Sequence, residues 1–267
     1  DEAIPISSPV FGTNTMKSPS PQMLAFSSIS LSNFGEQWYR IFAGETDGWT
    51  FQSLEHAIMG YEGPTVLVIQ GHSKHDDNNK QSVTFGAYTG SKWQKNKRDY
   101  FGTSDCFLYQ LQPTLRVLKP LPKMGKRGGH YMYFHSTTNT TTSNPSRKDD
   151  LAVGLGFGGS VRQPRLFIDN HLEECTVTHH DTSFEEGYIG LSPPTDDPFL
   201  SQTFSSSIHI DALEIYAVGD EGTINRGFKA QYQHRDIADA TLRNARTVDK
   251  AAFLDDMRTG VIETKAF

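Results

Sequence analysis

Short runs of apolar and β-branched residues, separated by polar or glycine-containing turns, recur along most of the chain. Residues 65–69 form a β-branched run typical of a buried strand, and residues 83–88 alternate between two faces. Further runs with strand character lie at residues 106–111, 131–134, 165–169, 174–179 and 208–218. Many short strands, few helices and no βαβ alternation predict a mainly β protein, a sandwich of two antiparallel sheets with peripheral helices.

Residues 50–60 carry a helical pattern within this strand-rich chain. Thr50 is a suitable N-cap, and Phe51, Leu54 and Ile58 recur behind it at helical spacing. Gly60 follows the last of them, as expected just past the end of a helix. We predict a short helix with one buried face.

The end of the chain changes character and predicts helices. Asp236 is suited to cap one helix, and Thr247 is suited to open a second. A weak, alanine-rich stripe follows helical spacing through Ile237, Thr241, Ala245, Val248 and Ala252. Such a stripe either packs on its own domain or enters a groove of a partner.

These patterns divide the chain into three parts. Residues 1–33 are rich in serine and proline and predict an irregular lead-in. Within it, residues 23–26 and 29–31 are apolar enough to dock on an apolar surface. Residues 34–220 form the predicted domain, and residues 221–267 form the predicted helical extension.

Composition narrows the classes of function. The chain has 25 basic and 31 acidic residues, and its net charge of −6 gives no support to nucleic-acid binding through phosphate neutralisation. The cysteines Cys106 and Cys175 fit a reducing compartment better than a disulfide framework. No apolar run is long enough to predict a membrane span, and no signal-peptide pattern follows Asp1. Because the initiator methionine is missing, we expect the chain to be part of a longer protein.

Several motifs occur in an order and spacing that resemble the TLDc domain. They are DGWTF at 47–51, GPTVLVI at 63–69, FGAY at 85–88, GTSDCFLY at 102–109, GLGFGG at 154–159 and LEIYAVG at 213–219. The resemblance is greatest to the branch that contains animal lysosome-associated TLDc proteins and related plant proteins. We expect the motif residues to be structural: Gly48, Gly63, Pro64, Gly86, Gly102, Asp105, Cys106, Gly154, Gly156, Gly158 and Gly159.

The resemblance implies a non-enzymatic interaction domain. It implies binding to the peripheral sector of the vacuolar-type proton-pumping ATPase, regulation of that pump, and a contribution to oxidative-stress resistance. It places the protein in the cytoplasm, at the surface of the lysosome or vacuole, with the nucleus as an alternative location. We expect a monomer when the protein is alone, and membrane association only through the partner.

Cys106 is the residue that most invites an enzymatic interpretation. It lies inside an alternating strand, where a small apolar side chain packs in the core, and this favours a buried thiol over a nucleophile. Asp105 is a suitable turn residue, and Gly102 before it permits a positive φ. The alternative, a thiol-dependent redox enzyme that uses Cys106, requires an exposed thiol of low pKa.

Two further patterns resemble ligand sites. Gly154, Gly156 and Gly159 match the spacing of a dinucleotide fingerprint, but a predicted strand follows them where that fingerprint needs a helix. Residues 72–77 and 179–181 are rich in histidine and aspartate, and we expect them to be solvated loops because neither has the frame of a zinc or calcium site. We therefore predict no catalytic residue, no cofactor and no metal.

The candidate partner contacts are two basic stretches and the C-terminal helices. Basic residues on an acidic protein can attract an acidic partner, although most charge runs are simply solvated. A second alternative function, a nuclear or nucleolar scaffold, would use the same basic loops. The candidates are Lys92, Lys95, Lys97, Arg98, Lys123, Lys126, Arg127, Ile237, Leu242, Val248 and Leu254.

Overall fold

The structure is a computed structural model that describes residues 37–73, 82–95, 100–122, 129–136, 153–160, 163–179, 181–190 and 205–259, with the side chains of the last range described to residue 243. In chain order its elements are β1 (Gln37–Ala43), α1 (Gly44–Asp47), α2 (Phe51–Ile58), β2 (Thr65–Ser73), β3 (Ser82–Thr89), β4 (Cys106–Gln112), β5 (Arg116–Leu118), β6 (Met132–His135), β7 (Gly154–Phe157), β8 (Leu166–Asp169), β9 (Glu174–Thr178), β10 (Ser205–Gly219) and α3 (Glu221–Thr259).

The described strands form one antiparallel sheet of ten strands. Its order is β5-β4-β3-β2-β10-β9-β8-β7-β6, and β1 also pairs with β10. The long strand β10 pairs with β9 near its start and with β2 and β1 toward its end. It therefore joins a first arm, β1 to β5, to a second arm, β6 to β9.

The two arms fold over one shared core. Phe101, just before β4, pairs through its backbone with Met132 of β6. Trp93, from the segment after β3, meets Phe134 and Phe157 of the second arm edge-on, with ring centroids 6.3 and 6.1 Å apart. The mainly β, antiparallel fold is confirmed, and the two predicted sheets are the arms of a single sheet.

Helix α2 lies where the sequence predicts it. The Thr50 hydroxyl oxygen accepts a hydrogen bond from the backbone N–H of Ser53 at 3.1 Å, which satisfies one of the free donors at the helix start. The three apolar residues of its predicted face are all buried. Phe51 stacks on Phe134 at 4.8 Å, so α2 covers the core side of the sheet.

Helix α3 corrects the prediction for the C-terminus. One continuous helix, Glu221–Thr259, replaces the two predicted to begin near Asp236 and Thr247. The N-cap is Asp220, whose carboxylate accepts a hydrogen bond from the backbone N–H of Thr223 at 2.7 Å. Hydrogen bonds from Thr223 hold the pKa of Asp220 below its ordinary value.

The sequence pattern does not predict β5 or β7. β5 has only three residues, and half of β7 is glycine, so neither shows a run of β-branched residues. β7 is a strand because it is paired on one side with β6 and on the other with β8. Its conformation is decided by neighbours that are distant in the sequence.

Candidate partner-binding surface

The first turns of α3 attach it to the domain around Tyr61. Ile224 is 2% exposed and shares a buried cluster with Tyr61 and Ala217. The ring of Phe228 meets the Tyr61 ring edge-on, with centroids 5.3 Å apart. A Cβ atom at Gly227 would lie 2.7 Å from Cζ of Tyr61. Glycine at this position therefore allows the helix to approach the ring.

Two polar side chains of α3 cap the C-terminal end of α2. Gln231 Nε2 donates a hydrogen bond to the carbonyl oxygen of Ala57 at 2.5 Å, and Arg235 Nη2 donates one to that of His56 at 3.0 Å. The last carbonyl groups of a helix lack intrahelical partners, and a cation near them also complements the helix dipole. These bonds fix α3 to the domain as far as Arg235.

Beyond Arg235 the described side chains of α3 face solvent. Residues 236–243 are all exposed. Among them, Ile237 is 67% and Leu242 is 57% exposed, which is high for apolar side chains of this size. Leu242 lies two helical turns after Arg235 and so continues the attached side of the helix, whereas Ile237 is turned away from it.

A cleft of about 870 Å³ opens where α3 leaves the domain. Helix α2 contributes Glu55 and His56, the segment after β3 contributes Trp93 and Lys95, and α3 contributes Leu242. Apolar and charged side chains of both signs therefore share its walls. We use the name α3 surface for this cleft together with the exposed residues 236–243 of α3.

Lys92 and Lys95 are the basic partner-contact candidates that the structure describes, and both form ion pairs. Lys92 Nζ lies 3.2 Å from Glu62 Oε1, and Lys95 pairs with Glu55. The Lys92–Glu62 pair is exposed on both sides and contributes little to stability, whereas Glu55 is the more buried partner of Lys95. In both pairs the carboxylate offsets the positive charge that the sequence pattern suggests. The other candidates fall outside the described side chains: Lys97, Arg98, Lys123, Lys126, Arg127, Val248 and Leu254.

Cys106 is a core residue of β4. It is 4% exposed, and burial, with a smaller effect of Asp105, raises its pKa to about 12. Cys175 is fully buried, and burial raises its pKa as well. Asp105 acts as a turn residue through its backbone, since its N–H donates to Thr103 Oγ1 at 3.3 Å and its carbonyl oxygen accepts from Gly90 at 2.8 Å.

Gly158 and Gly159 accommodate a buried ion pair. Their φ angles are +65° and +74°. The Gly159 N–H donates to Asp181 Oδ2 at 2.6 Å, and Arg165 Nη1 lies 3.2 Å from Asp181 Oδ1. A Cβ at Gly158 would lie 2.6 Å from Asp181 Oδ2, so a side chain there would displace the carboxylate. The element that follows is strand β8, so this motif does not feed a helix N-terminus.

The histidine and aspartate cluster at residues 179–181 is not the solvated loop that we predicted. His179 is 3% and Asp181 is 8% exposed. The loop prediction is wrong because Arg165, fully buried, holds Asp181 inside. Burial, together with Arg165 and then Arg116, lowers the pKa of His179 to about 4.

The other predicted cluster lies partly on the sheet surface. His72 Nδ1 lies 2.9 Å from Asp211 Oδ2, and residues 75–77 fall outside the described ranges. Within the described part of the chain, no group of three or more histidine, cysteine, aspartate or glutamate side chains is placed to hold a metal ion.

The remaining motif residues lie at turns and in strands. Gly102 has the predicted positive φ, +93°, and the Pro64 carbonyl oxygen accepts a hydrogen bond from the Val218 N–H at 3.1 Å. By position, Gly48 follows α1, Gly63 and Pro64 precede β2, Gly86 is in β3, and Gly154 and Gly156 are in β7.

None of the described helices is both long and apolar enough to cross a membrane.

The family model of the TLDc domain matches residues 18–219, which is most of the chain. The chain belongs to the TLDc domain family. The matched range ends at Gly219, the last residue of β10, so α3 lies just beyond it. The α3 surface is therefore built jointly by the TLDc domain and the helix that follows it.

Two relatives illustrate the range of proteins that share this TLDc domain. The human MTOR-associated protein MEAK7 is 26% identical over 69% of this chain and 33% of its own length. The "Restriction of telomere capping protein 5" of Pyricularia oryzae is 23% identical over 68% of this chain and 33% of its own length. The chain thus spans about a third of the length of these relatives.

The residues that attach α3 were not singled out from the sequence. Tyr61, Gly227, Gln231 and Arg235 are separated along the chain, and their partners are not visible in any local pattern. One available signal is Gly227, a glycine inside a helical stretch, which is costly unless close packing requires it.

Proposed function

We propose that this TLDc chain is a non-enzymatic interaction module that binds the peripheral, cytosolic sector of the vacuolar-type proton-pumping ATPase. In this role it regulates the pump at the surface of the lysosome or vacuole and contributes to oxidative-stress resistance. The observation that carries the proposal is the α3 surface, where a helix fixed to the domain extends exposed apolar side chains, Ile237 and Leu242, into solvent.

The length and attachment of α3 suit a module that regulates a partner through the free energy of binding to it. A helix of 39 residues is about 58 Å long, and hydrogen bonds to α2 hold it to the domain as far as Arg235. The exposed part can lie in an apolar groove of a partner, a common mode of helix recognition. Because hydrogen bonds fix the first part of α3 to the domain, binding of a partner to the exposed part would orient the whole domain. The module would then favour the assembly state of the pump to which it binds most tightly.

The state of the thiols supports a role without catalysis. A nucleophilic cysteine needs an exposed thiol of depressed pKa, whereas Cys106 is buried with a raised pKa. The alternative, a thiol-dependent enzyme, would need β4 to open. The name of the human relative records an association with mTOR, and this supports a protein partner for the family.

The proposal is tested by binding of the intact chain to purified peripheral sector of the ATPase. The variant Ile237→Asp with Leu242→Asp should bind at least about tenfold more weakly, because a charge replaces each apolar anchor. The control variant Asn225→Asp with Lys229→Gln lowers the net charge by the same amount on another side of the same helix and should bind normally. No binding by the intact chain, or equal binding by both variants, would reject this role of α3.

A further inference from the structure

The face of the sheet that is turned away from the core carries a pair of histidines. His72 of β2 and His209 of β10 are directly opposite each other in the antiparallel pairing, so their side chains share a face. His209 lies between Ile208 and Ile210, which belong to the shared core, and therefore points away from it. The His209 side chain is exposed and that of His72 is partly exposed, so an ion in solution can reach both rings.

The two imidazole rings have the separation that a shared metal ion requires. The ring centroids of His72 and His209 are 5.2 Å apart, and the ring planes are inclined by 62°. Because a tetrahedral zinc ion lies about 2.1 Å from each imidazole nitrogen, two rings that share it have centroids roughly 5 Å apart. Binding of one ion by both rings therefore needs rotation of the side chains and no movement of the strands. Edge-to-face packing alone gives a similar spacing, so the orientation of His72 is the deciding observation.

Asp211 fixes the orientation of the His72 ring. Its Oδ2 atom lies 2.9 Å from Nδ1 of His72. An ionised carboxylate can only accept a hydrogen bond, so Nδ1 carries the proton and Nε2 of the neutral ring keeps its lone pair. Histidines that bind metals are held in this way in most proteins, with a carboxylate or carbonyl oxygen on the second ring nitrogen. The Asp211 contact therefore prepares His72 Nε2 to act as a metal ligand.

Two irregular features of the backbone lie beside the histidines. The pairing of β10 with β2 shifts between Ile210 and Ala212, so Asp211 is the extra residue of a β-bulge. A bulge of this kind can turn a side chain toward a site that regular pairing would not reach. On the other strand, a Cβ at Gly71 would overlap the carbonyl oxygen of His209, so glycine allows the two strands to approach closely here. The local backbone thus brings the two histidines and Asp211 together.

The side chains suit a transition metal. Imidazole nitrogens bind zinc, copper and nickel, whereas calcium and magnesium prefer oxygen ligands. Since no three histidine, cysteine, aspartate or glutamate side chains of the described residues are placed to hold an ion together, the protein ligands are the two imidazoles. We propose that His72 and His209 bind one divalent ion of the zinc and copper class, with water in its remaining positions and Asp211 as the positioning residue for His72.

Calorimetric titration of the intact, chelator-treated chain tests the site without a protein partner. One equivalent of Zn²⁺ should bind in the micromolar range, Cu²⁺ should bind more tightly, and Mg²⁺ should not bind. His72→Asn and His209→Asn should each weaken this equivalent at least about tenfold. The control His171→Asn removes an exposed histidine in the turn between β8 and β9 and should bind as the parent does. No binding of either ion by the intact chain, or equal affinity in the three variants, would overturn the proposal.

Electron paramagnetic resonance of the chain loaded with Cu²⁺ identifies the ligands. Two imidazole nitrogens should split the copper signal of the parent, and His209→Asn should leave one. Because His72 and His209 face away from the core, their asparagine variants should keep the urea midpoint of the metal-free parent, so lost binding reports lost ligands. The same number of nitrogens in the parent and in His209→Asn would show that copper binds elsewhere and would refute the site.

The variant Asp211→Ala tests the positioning role. Loss of the carboxylate should weaken Zn²⁺ binding by about 10–100-fold while the copper signal still shows two nitrogens, and Asp211→Glu should recover part of the affinity. The control Glu173→Ala removes the same charge from an exposed position before β9 and should change the affinity little. An equal loss in both alanine variants would reduce the effect to net charge and would remove Asp211 from the site.

Discussion

Replacing Gly227 by alanine should loosen the attachment of α3, although alanine is the better helix former. A Cβ at position 227 would lie 2.7 Å from Cζ of Tyr61, and a Cβ at Gly63 would lie 2.7 Å from the same atom. Tyr61 is fully buried, and Phe228 packs on its ring. The ring is held between two glycines and has no room to retreat.

The expected magnitude follows from two opposing effects. Alanine in place of glycine in a helix interior is favourable by about 1 kcal/mol. Non-bonded carbon atoms prefer a separation of about 3.5–4.0 Å, so the new methyl group must push the helix or the ring by roughly 1 Å. Overpacking of this kind costs about 1–3 kcal/mol. The variant should therefore lose about 1 kcal/mol of unfolding free energy.

Gly222→Ala is the matched control in the same helix. A Cβ there would meet only Arg226 Nη1 at 3.6 Å and Asp220 Oδ2 at 3.9 Å, which are ordinary contacts. This variant should be as stable as the parent or more stable by up to about 1 kcal/mol. If alanine raises the free energy of unfolding at position 222 and lowers it at position 227, the loss at 227 is due to the contact with Tyr61.

Urea unfolding followed by circular dichroism measures both changes, and hydrogen exchange of residues 224–235 reports the attachment of α3 directly. In Gly227→Ala these amides should exchange faster. A double-mutant cycle with Tyr61→Leu should show that alanine at 227 costs less once the ring is gone. If Gly227→Ala raises the midpoint as Gly222→Ala does, the packing argument is wrong.

Three further predictions concern buried ionisable groups. Asp181→Asn should cost about 3–5 kcal/mol in urea unfolding, because it leaves Arg165 buried without its carboxylate; a loss below about 1 kcal/mol would contradict this. His179 has a pKa near 4 in the fold against an ordinary 6.5, so the unfolded chain binds more protons and stability should fall as pH drops from 6.5 to 4. His179→Phe should weaken this dependence, and identical pH profiles would refute the assignment. Cys106 and Cys175 should resist iodoacetamide at pH 8 in the native protein and react in urea, since a pKa of about 12 leaves roughly one Cys106 in ten thousand as thiolate; rapid native alkylation would favour the enzyme alternative.

Local patterns were enough to predict the elements whose stabilising contacts are local. Helix α2 is an example, because its cap joins Thr50 to Ser53 and its buried residues repeat at helical spacing. The run at residues 65–69 is another, since β-branched residues favour a strand in most settings. The motifs within residues 38–219 also identified the TLDc domain, which the family match confirms.

The start of helix α3 is a feature that the local sequence pattern predicted wrongly. Gly222 and Gly227 disfavour a helix before residue 236, so Asp236 looked like a start, although Asp220 carries an equally good capping carboxylate. The packing of Ile224 and Phe228 against Tyr61 compensates for the glycines. That packing requires a residue more than 150 positions away, which no local window contains.

The sequence by itself therefore determined the strand character, the helix after Thr50 and the family, because these depend on side-chain chemistry within a few residues. The tertiary structure alone decided the candidate surface and the role of the glycine motif. Gln231 caps α2 across 174 positions, and Asp181 reaches Arg165 across 16. Polar groups buried by the fold must find partners wherever the fold places them, and only the folded chain shows which partners these are.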